Sequence, residues 1–359
     1  MKAKVANSHN EWDPLEEIIV GNIDGACVMS WEKPFEALTP PEILKVTQGY
    51  RNIFGGTAVQ KQAVEQAQKD LDNFIHVLES EGVIVRRPDA IDNSKPYATP
   101  YWAAKSGYNQ KDPRDVLMVV GDHIIESTMS WKCRYFENFA YRSLVKEYFK
   151  KGARWSVGPK PMLIEQLYDP KWKMGNQRYI TNEFEPIIDV ADAVRCGRDI
   201  FVQRSQVTND FGIEWLRRTL GSEYTVHKLE FDDPRALHID ATFLPLAPGK
   251  LLVNPARPIK KLPKIFKKAK WEILECPETT YPKSQRTGYL WNQWLHMNML
   301  NLDEKRLIVE KEEGPLIQAL KNWGFQPIPL PFRSNYSFGG SFHCATCDIR
   351  RRGELRSYF

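Results

Sequence analysis

The sequence predicts an α/β fold built from five copies of one strand–strand–helix–strand module, closed into a propeller-like ring around a central cavity. Three observations predict it. A helical stretch that ends in a basic or glycine-containing turn and runs into a short strand recurs five times. A strand or hairpin precedes each of those stretches. No shift of composition marks an internal boundary, so residues 1–359 read as a single domain. Repetition at this scale is read before any local feature, because it decides the architecture. Two doubly wound α/β domains are the alternative arrangement.

The modules follow in order. The first opens with LEEIIVGN (15–22) and continues through a helix over 57–80, where Ala63, Ala67, Leu71, Phe74 and Leu78 make one apolar stripe. It ends in LESEGVIVRRP (78–88). The second is DVLMVVGDHIIES (115–127), turning at Gly121-Asp122, then KKGARWSVGPKP (150–161). The third is AVRCGRDIFVQ (193–203), turning at Gly197-Arg198, a helix over Gly212 to Leu220, and RRTLGSEYTVHKLEF (217–231). The fourth is ATFLPLAPGKLLVN (241–254), turning at Pro248-Gly249, then KKAKWEILECP (267–277). The fifth is LDEKRLIVE (302–310), a helix over Gly314 to Trp323, and KNWGFQPIPLP (321–331). Glycine supplies the positive φ that two-residue hairpin turns need.

Composition narrows the function classes. With 42% hydrophobic and 26% charged residues the chain has ordinary globular make-up. A net charge of +5 is small for 359 residues, and no stripe of basic and aromatic residues forms a nucleic-acid footprint. The N-terminal MKAKVANSHNEWDPL has no apolar signal core, and no apolar run nears the roughly 20 residues a membrane span needs. A cytoplasmic protein with neither nucleic-acid nor membrane partner is the expectation. Six cysteines in this length do not suggest a disulfide scaffold, and Cys27, Cys133, Cys196 and Cys276 read as buried small hydrophobes.

Titratable residues fall at equivalent places in the modules. Asp115 opens the second hairpin, Asp189 lies just before the third, and His238 and Asp240 lie just before the fourth. Cys344 follows the last module, where the ring would return to the first. Related by rotation, these groups would converge on the axis. In a strand, His238 and Asp240 would share one face. The segment GGSFHCATCDIRRR (339–352) places His343, Cys344 and Cys347 together. Zinc would want a second ligand pair, which is missing. A redox dithiol would want the CxxC to open a helix in a βαβ unit. An inert buried pair and a nucleophilic cysteine on a glycine turn are the other readings, and the nucleophile is favoured. Carboxylates beside a thiol suppress its thiolate, which makes sense where the substrate is a cation. Paired aspartates would hold a guanidinium.

The stretches GGSFHCATCDIRRRG, DPRALHIDATF, GRDIFVQRSQVTNDFGIEWLRR and PRDVLMVVGDHIIES resemble those of the arginine-dependent amidinotransferases, and the likeness runs from about Asn7 to Ser357. The resemblance implies a five-bladed, pseudosymmetric α/β propeller and a homodimer. It implies Cys344 as nucleophile, His238 as acid/base and Asp189 as third catalytic residue, with Asp115, Asp240 and Arg257 binding arginine. It implies transfer of the amidino group of L-arginine to an amine through an amidino-cysteine, with ornithine released and no metal or other cofactor required. Cys347 has no catalytic part in that scheme. Glycine-using members differ at the positions of Arg235 and Leu237, and carry a serine pair where Trp291-Asn292 stands here. Arg235, Leu237 and Asn292 are therefore the candidate acceptor contacts. They point to an extended alkylamine of a guanidine natural product, with the saxitoxin-pathway branch of the family as nearest fit. Glycine as acceptor and hydrolysis of arginine-type guanidines are the alternatives.

Overall fold

The structure, a computed structural model, describes residues 4–174, 179–282 and 294–359. Five three-stranded sheets share one internal order, in which a first strand pairs antiparallel with a second and the second pairs parallel with a third. The second sheet is Leu117–Val120, His123–Glu126 and Arg154–Val157. The third is Ala193–Cys196, Asp199–Gln203 and Thr225–Leu229. The fourth is Phe243–Ala247, Lys250–Val253 and Glu272–Glu275, and the fifth Leu300–Asn301, Arg306–Glu310 and Gln326–Leu330. A parallel neighbour needs a crossover. The helices Lys61–Ser80, Arg142–Lys150, Asp210–Leu220, Lys264–Lys268 and Gly314–Asn322 provide it, one per sheet.

The first sheet draws on both ends of the sequence. Leu15–Val20 pairs parallel with Ile84–Arg86 and antiparallel with Thr346–Arg351. Its first strand is therefore the last strand of the chain.

Burial orders each sheet from inside to outside. The first strands at Leu117–Val120, Ala193–Cys196 and Phe243–Ala247 are buried at every position. The third strands at Arg154–Val157 and Glu272–Glu275 have no fully buried residue. Pro327 and Pro329 sit in the outermost strand of the fifth sheet, where a missing N–H costs no ladder bond on the open side. The inner strands are tied to one another by buried polar groups. Arg195 donates to the Val119 carbonyl at 3.0 Å and to Asp348 at 2.7 Å, and Arg114 donates to the other Asp348 oxygen at 2.7 Å. Arg351 donates to the Asn301 carbonyl at 2.9 Å, and Asn301 to the Leu246 carbonyl at 2.8 Å. These bonds join the inner strands of all five sheets.

The long helix starts at Lys61 rather than 57 and buries Ala67, Leu71, Phe74 and Leu78; Ala63 lies in its exposed first turn. The helix at Asp210–Leu220 starts where the Asn209 side chain accepts from Gly212 N at 2.8 Å. The expected hairpin turns hold, with φ of 61° at Gly121, 69° at Gly197 and 77° at Gly249. A helix at Leu44–Phe54 escaped the sequence reading. Only Thr47 and Arg51 are buried there, so no core-facing apolar stripe announces it. No described helix is long and apolar enough to cross a membrane.

Candidate active site

Each inner strand is preceded by a residue that turns into one shared site. Asp115 stands two positions before Leu117, Asn298 two before Leu300, and Cys344 two before Thr346. Asp240 stands three before Phe243 and Asp189 four before Ala193. Cys344, Asp240, His238, Asp115 and Asp112 line one cavity, with Arg134 and Gly339-Gly340 in its wall. Met29, Trp131, Leu237, Leu295 and Phe338 give that wall an apolar part.

Cys344 is buried, and its Sγ lies 3.2 Å from Asp240 Oδ2. Asn298 Nδ2 donates to the same sulfur at 3.1 Å, while Asn298 Oδ1 accepts from the backbone N–H of Cys344 at 2.9 Å and of Ser341 at 3.0 Å. One amide thus fixes the Cys344 side chain and its turn together. Gly340 has φ of 68°, and a Cβ there would lie 2.4 Å from Cys344 Cβ. Glycine is required on both counts.

His238 sits between two carboxylates, with Nε2 3.4 Å from Asp189 Oδ2 and Nδ1 3.6 Å from Asp115 Oδ1. Asp189 is fully buried and is oriented by Ser130 N and Trp131 Nε1, each donating at 3.3 Å. Arg134 pairs with Asp115 Oδ2 and with Glu137. Among the described residues nothing donates a hydrogen bond to Asp115 Oδ1, which leaves a buried acceptor at the cavity.

The charges set the resting state. Burial pushes the Cys344 thiol well up, and Asp240, Asp115 and Asp112 add to it against Lys111. Burial disfavours charge on His238, but Asp115, Asp189 and Asp192 outweigh it and raise the imidazole to about 10. Burial together with Asp115 raises Asp112 to about 6, although Lys111 Nζ is 2.7 Å away. These shifts favour a protonated thiol at Cys344 and an imidazolium at His238. A planar cation would satisfy the unpaired acceptors and favour the thiolate. Asp115, His238 and Cys344 also offer donor atoms within 4.8 Å of one another, the grouping among the described residues that could hold a metal ion.

No family model matches the chain. It is 48% identical over 355 residues to the L-arginine:L-lysine amidinotransferase of Pseudomonas savastanoi pv. phaseolicola, covering 98% of this chain and 96% of that one. It is 44% identical over 364 residues to the mitochondrial glycine amidinotransferase of Gallus gallus, covering 98% and 84%. Its fold matches a solved amidinotransferase of the saxitoxin biosynthetic pathway from Microseira wollei with a TM-score of 0.94, at 48% identity over 99% of both chains. The chain belongs to the amidinotransferases.

In this amidinotransferase the expected residues meet in part. Cys344, His238, Asp115, Asp240 and Leu237 line the cavity, and Asp189 backs His238. His238 and Asp240 do so without a strand. His238 has φ of 51° and precedes a 3₁₀ turn at Ile239–Ala241, so the turn and not a pleat directs both side chains inward. A non-glycine residue in that region carries strain of about 1–3 kcal/mol, which recurs at functional sites. Arg257 pairs with Asp233 at 3.0 Å and is not among the cavity's lining, and Arg235 is exposed. Trp291 and Asn292 lie outside the described residues. Cys347 packs among apolar side chains, its thiol 3.4 Å from the Leu117 carbonyl, and takes no part in the cavity. Sequence reasoning missed Asn298, Asp112 and Arg134. Asn298 was findable, since it holds the fifth equivalent position before an inner strand.

Proposed function

We propose that this amidinotransferase moves the amidino group of L-arginine to an extended primary amine through an amidino intermediate on Cys344, releasing ornithine. The observation that carries the reading is the convergence of Cys344, His238, Asp115 and Asp240 on one cavity. Asp115 and Asp240 would hold the guanidinium planar, and its charge would favour the thiolate. Cys344 Sγ attacks the guanidinium carbon and the bond to the ornithine nitrogen breaks. The thiol proton is lost to solvent as the guanidinium binds, and the His238 imidazolium protonates the ornithine nitrogen and is left neutral. The acceptor amine then attacks the amidino carbon, His238 takes its proton to become imidazolium again, and Cys344 leaves as the thiolate and regains its proton as the product departs. Asp189 stabilises the imidazolium at the start and end of each turnover. In this reading Arg257 faces the substrate carboxylate, sharing its contact with Asp233.

The acceptor follows from the apolar wall. An alkyl chain against Leu237 gains about 0.8 kcal/mol per buried methylene, so three or four favour it by about 2 to 3 kcal/mol and roughly a hundredfold. Relatives named for lysine and for the saxitoxin pathway are consistent with long amines as acceptors. A guanidine natural product of saxitoxin type is the proposed destination. The five sheets are read as blades of one propeller over 1–359, acting as a cytoplasmic homodimer. The test supplies arginine and compares kcat/KM for glycine with that for alkylamines of increasing length, lysine included. A rise with chain length supports the reading, and glycine as best acceptor overturns it.

A further inference from the structure

Behind Cys344 lies a row of buried groups, of which the reaction scheme above uses only the first, Asp240. Asp240 Oδ2 meets two partners, Cys344 Sγ at 3.2 Å and His343 Nδ1 at 2.9 Å. The other ring nitrogen of His343 lies 3.2 Å from Glu11 Oε2. Arg195 grips Glu11 through its Nε at 2.8 Å and its terminal nitrogen at 2.7 Å. Glu11, His343 and Asp240 are all buried.

A neutral imidazole has one N–H, so with an acceptor on each nitrogen one contact would set lone pair against lone pair. Only a doubly protonated ring donates to both carboxylates. We propose that His343, bridged between Asp240 and Glu11, is a positioning residue that keeps Asp240 an unprotonated acceptor for the substrate guanidinium and the Cys344 thiol.

The cavity needs such a device. Asp112, Asp115 and Asp240 crowd one site, and carboxylates that share a site tend to keep a proton between them. That proton could settle on any of the three. Burial raises Asp112, whereas hydrogen bonding to His343 and Cys344 and the nearby charge of His238 hold Asp240 below the usual carboxylate range despite its burial. On the far side Arg195 and Arg114 anchor Glu11, and both also bind Asp348. Lys111 and Arg134 face the Asp112 and Asp115 side. His343 is the basic side chain in contact with Asp240, and its place next to Cys344 in the chain ties its position to that of the sulfur.

The inference rests on arginine being the donor. The test is the pH profile of kcat/KM for arginine, read as ornithine release, in the wild type and in His343→Asn, whose amide keeps a donor but no charge. The acid limb should move to higher pH by about one unit or more, with the plateau above it within about tenfold of wild type. An unmoved limb, or a fall equal at every pH, overturns the proposal. Should His343→Asn not fold, the ring nitrogens of His343 in ¹⁵N-histidine wild type decide it. Both should be protonated at neutral pH, and a neutral tautomer there overturns it. A wild type that releases no ornithine at any pH defeats the donor reading and the proposal with it. An active wild type with an unshifted variant defeats the proposal alone.

Discussion

Replacing Gly340 by alanine should cripple the reaction without removing any group that carries charge or a proton. The added Cβ would stand 2.4 Å from Cys344 Cβ and 2.9 Å from Sγ. Ordinary carbon–carbon contact begins at about 3.5 Å, so the two carbons must part by about 1 Å. Asn298 holds the Cys344 backbone and sulfur and the Ser341 N–H, which leaves the turn little room to slide. A displacement of about 1 Å at a reacting atom costs on the order of a hundredfold in rate. The left-handed φ of 68° adds about 1–2 kcal/mol of strain for any residue with a Cβ. Gly340→Ala should therefore lower kcat for ornithine release about a hundredfold and lower Tm by several degrees. The control is Gly314→Ala, at a helix start where nothing lies within 4 Å of the added carbon and φ is not positive. It should leave kcat unchanged and hold or raise Tm. The assay is single-turnover formation of the amidino adduct, followed by mass. A Gly340→Ala enzyme with wild-type adduct formation would refute the packing argument.

Cys344→Ala should abolish ornithine release, while Cys347→Ala keeps most activity; arginine alone should add one amidino group, and mapping it to Cys347 would reverse the assignment. Asp189→Asn and His238→Ala should each lower turnover by orders of magnitude, since each removes a charge or proton carrier used in the transition state. Stability should carry the mark of His238. Its folded value of about 10 exceeds the ordinary 6.5, so its contribution is full below pH 6.5 and is lost as pH rises through 10. The Tm gap between wild type and His238→Ala should narrow over that window, and a gap that widens would mean the imidazole is held neutral.

The sequence by itself determined the order of elements and the spacing of the chemistry. Turn glycines, apolar stripes and short β-branched runs are local signals, and they marked five modules and four of the five positions that precede inner strands. They also placed Cys344 on a glycine turn. What they could not carry was anything made by contact across the chain. The pairing of Leu15–Val20 with Thr346–Arg351 joins the two ends of the sequence, and no local pattern records a partner so distant. Glu11 and His343 stand 332 positions apart, so a carboxylate near the N-terminus gave no sign that it reaches the residue beside Cys344. His238 and Asp240 were expected on a strand face and are delivered by a strained 3₁₀ turn instead, because the need to reach Asp115, Asp189 and Cys344 at once overrides the period-two preference. Tertiary packing also separated the two cysteines of the CxxC. The inner strand begins at Thr346, so Cys344 stays on the turn before it while Cys347 enters the apolar core. The sequence shows two like thiols, and only the folding of that strand into the core sets Cys344 at the cavity and makes Cys347 a packing group.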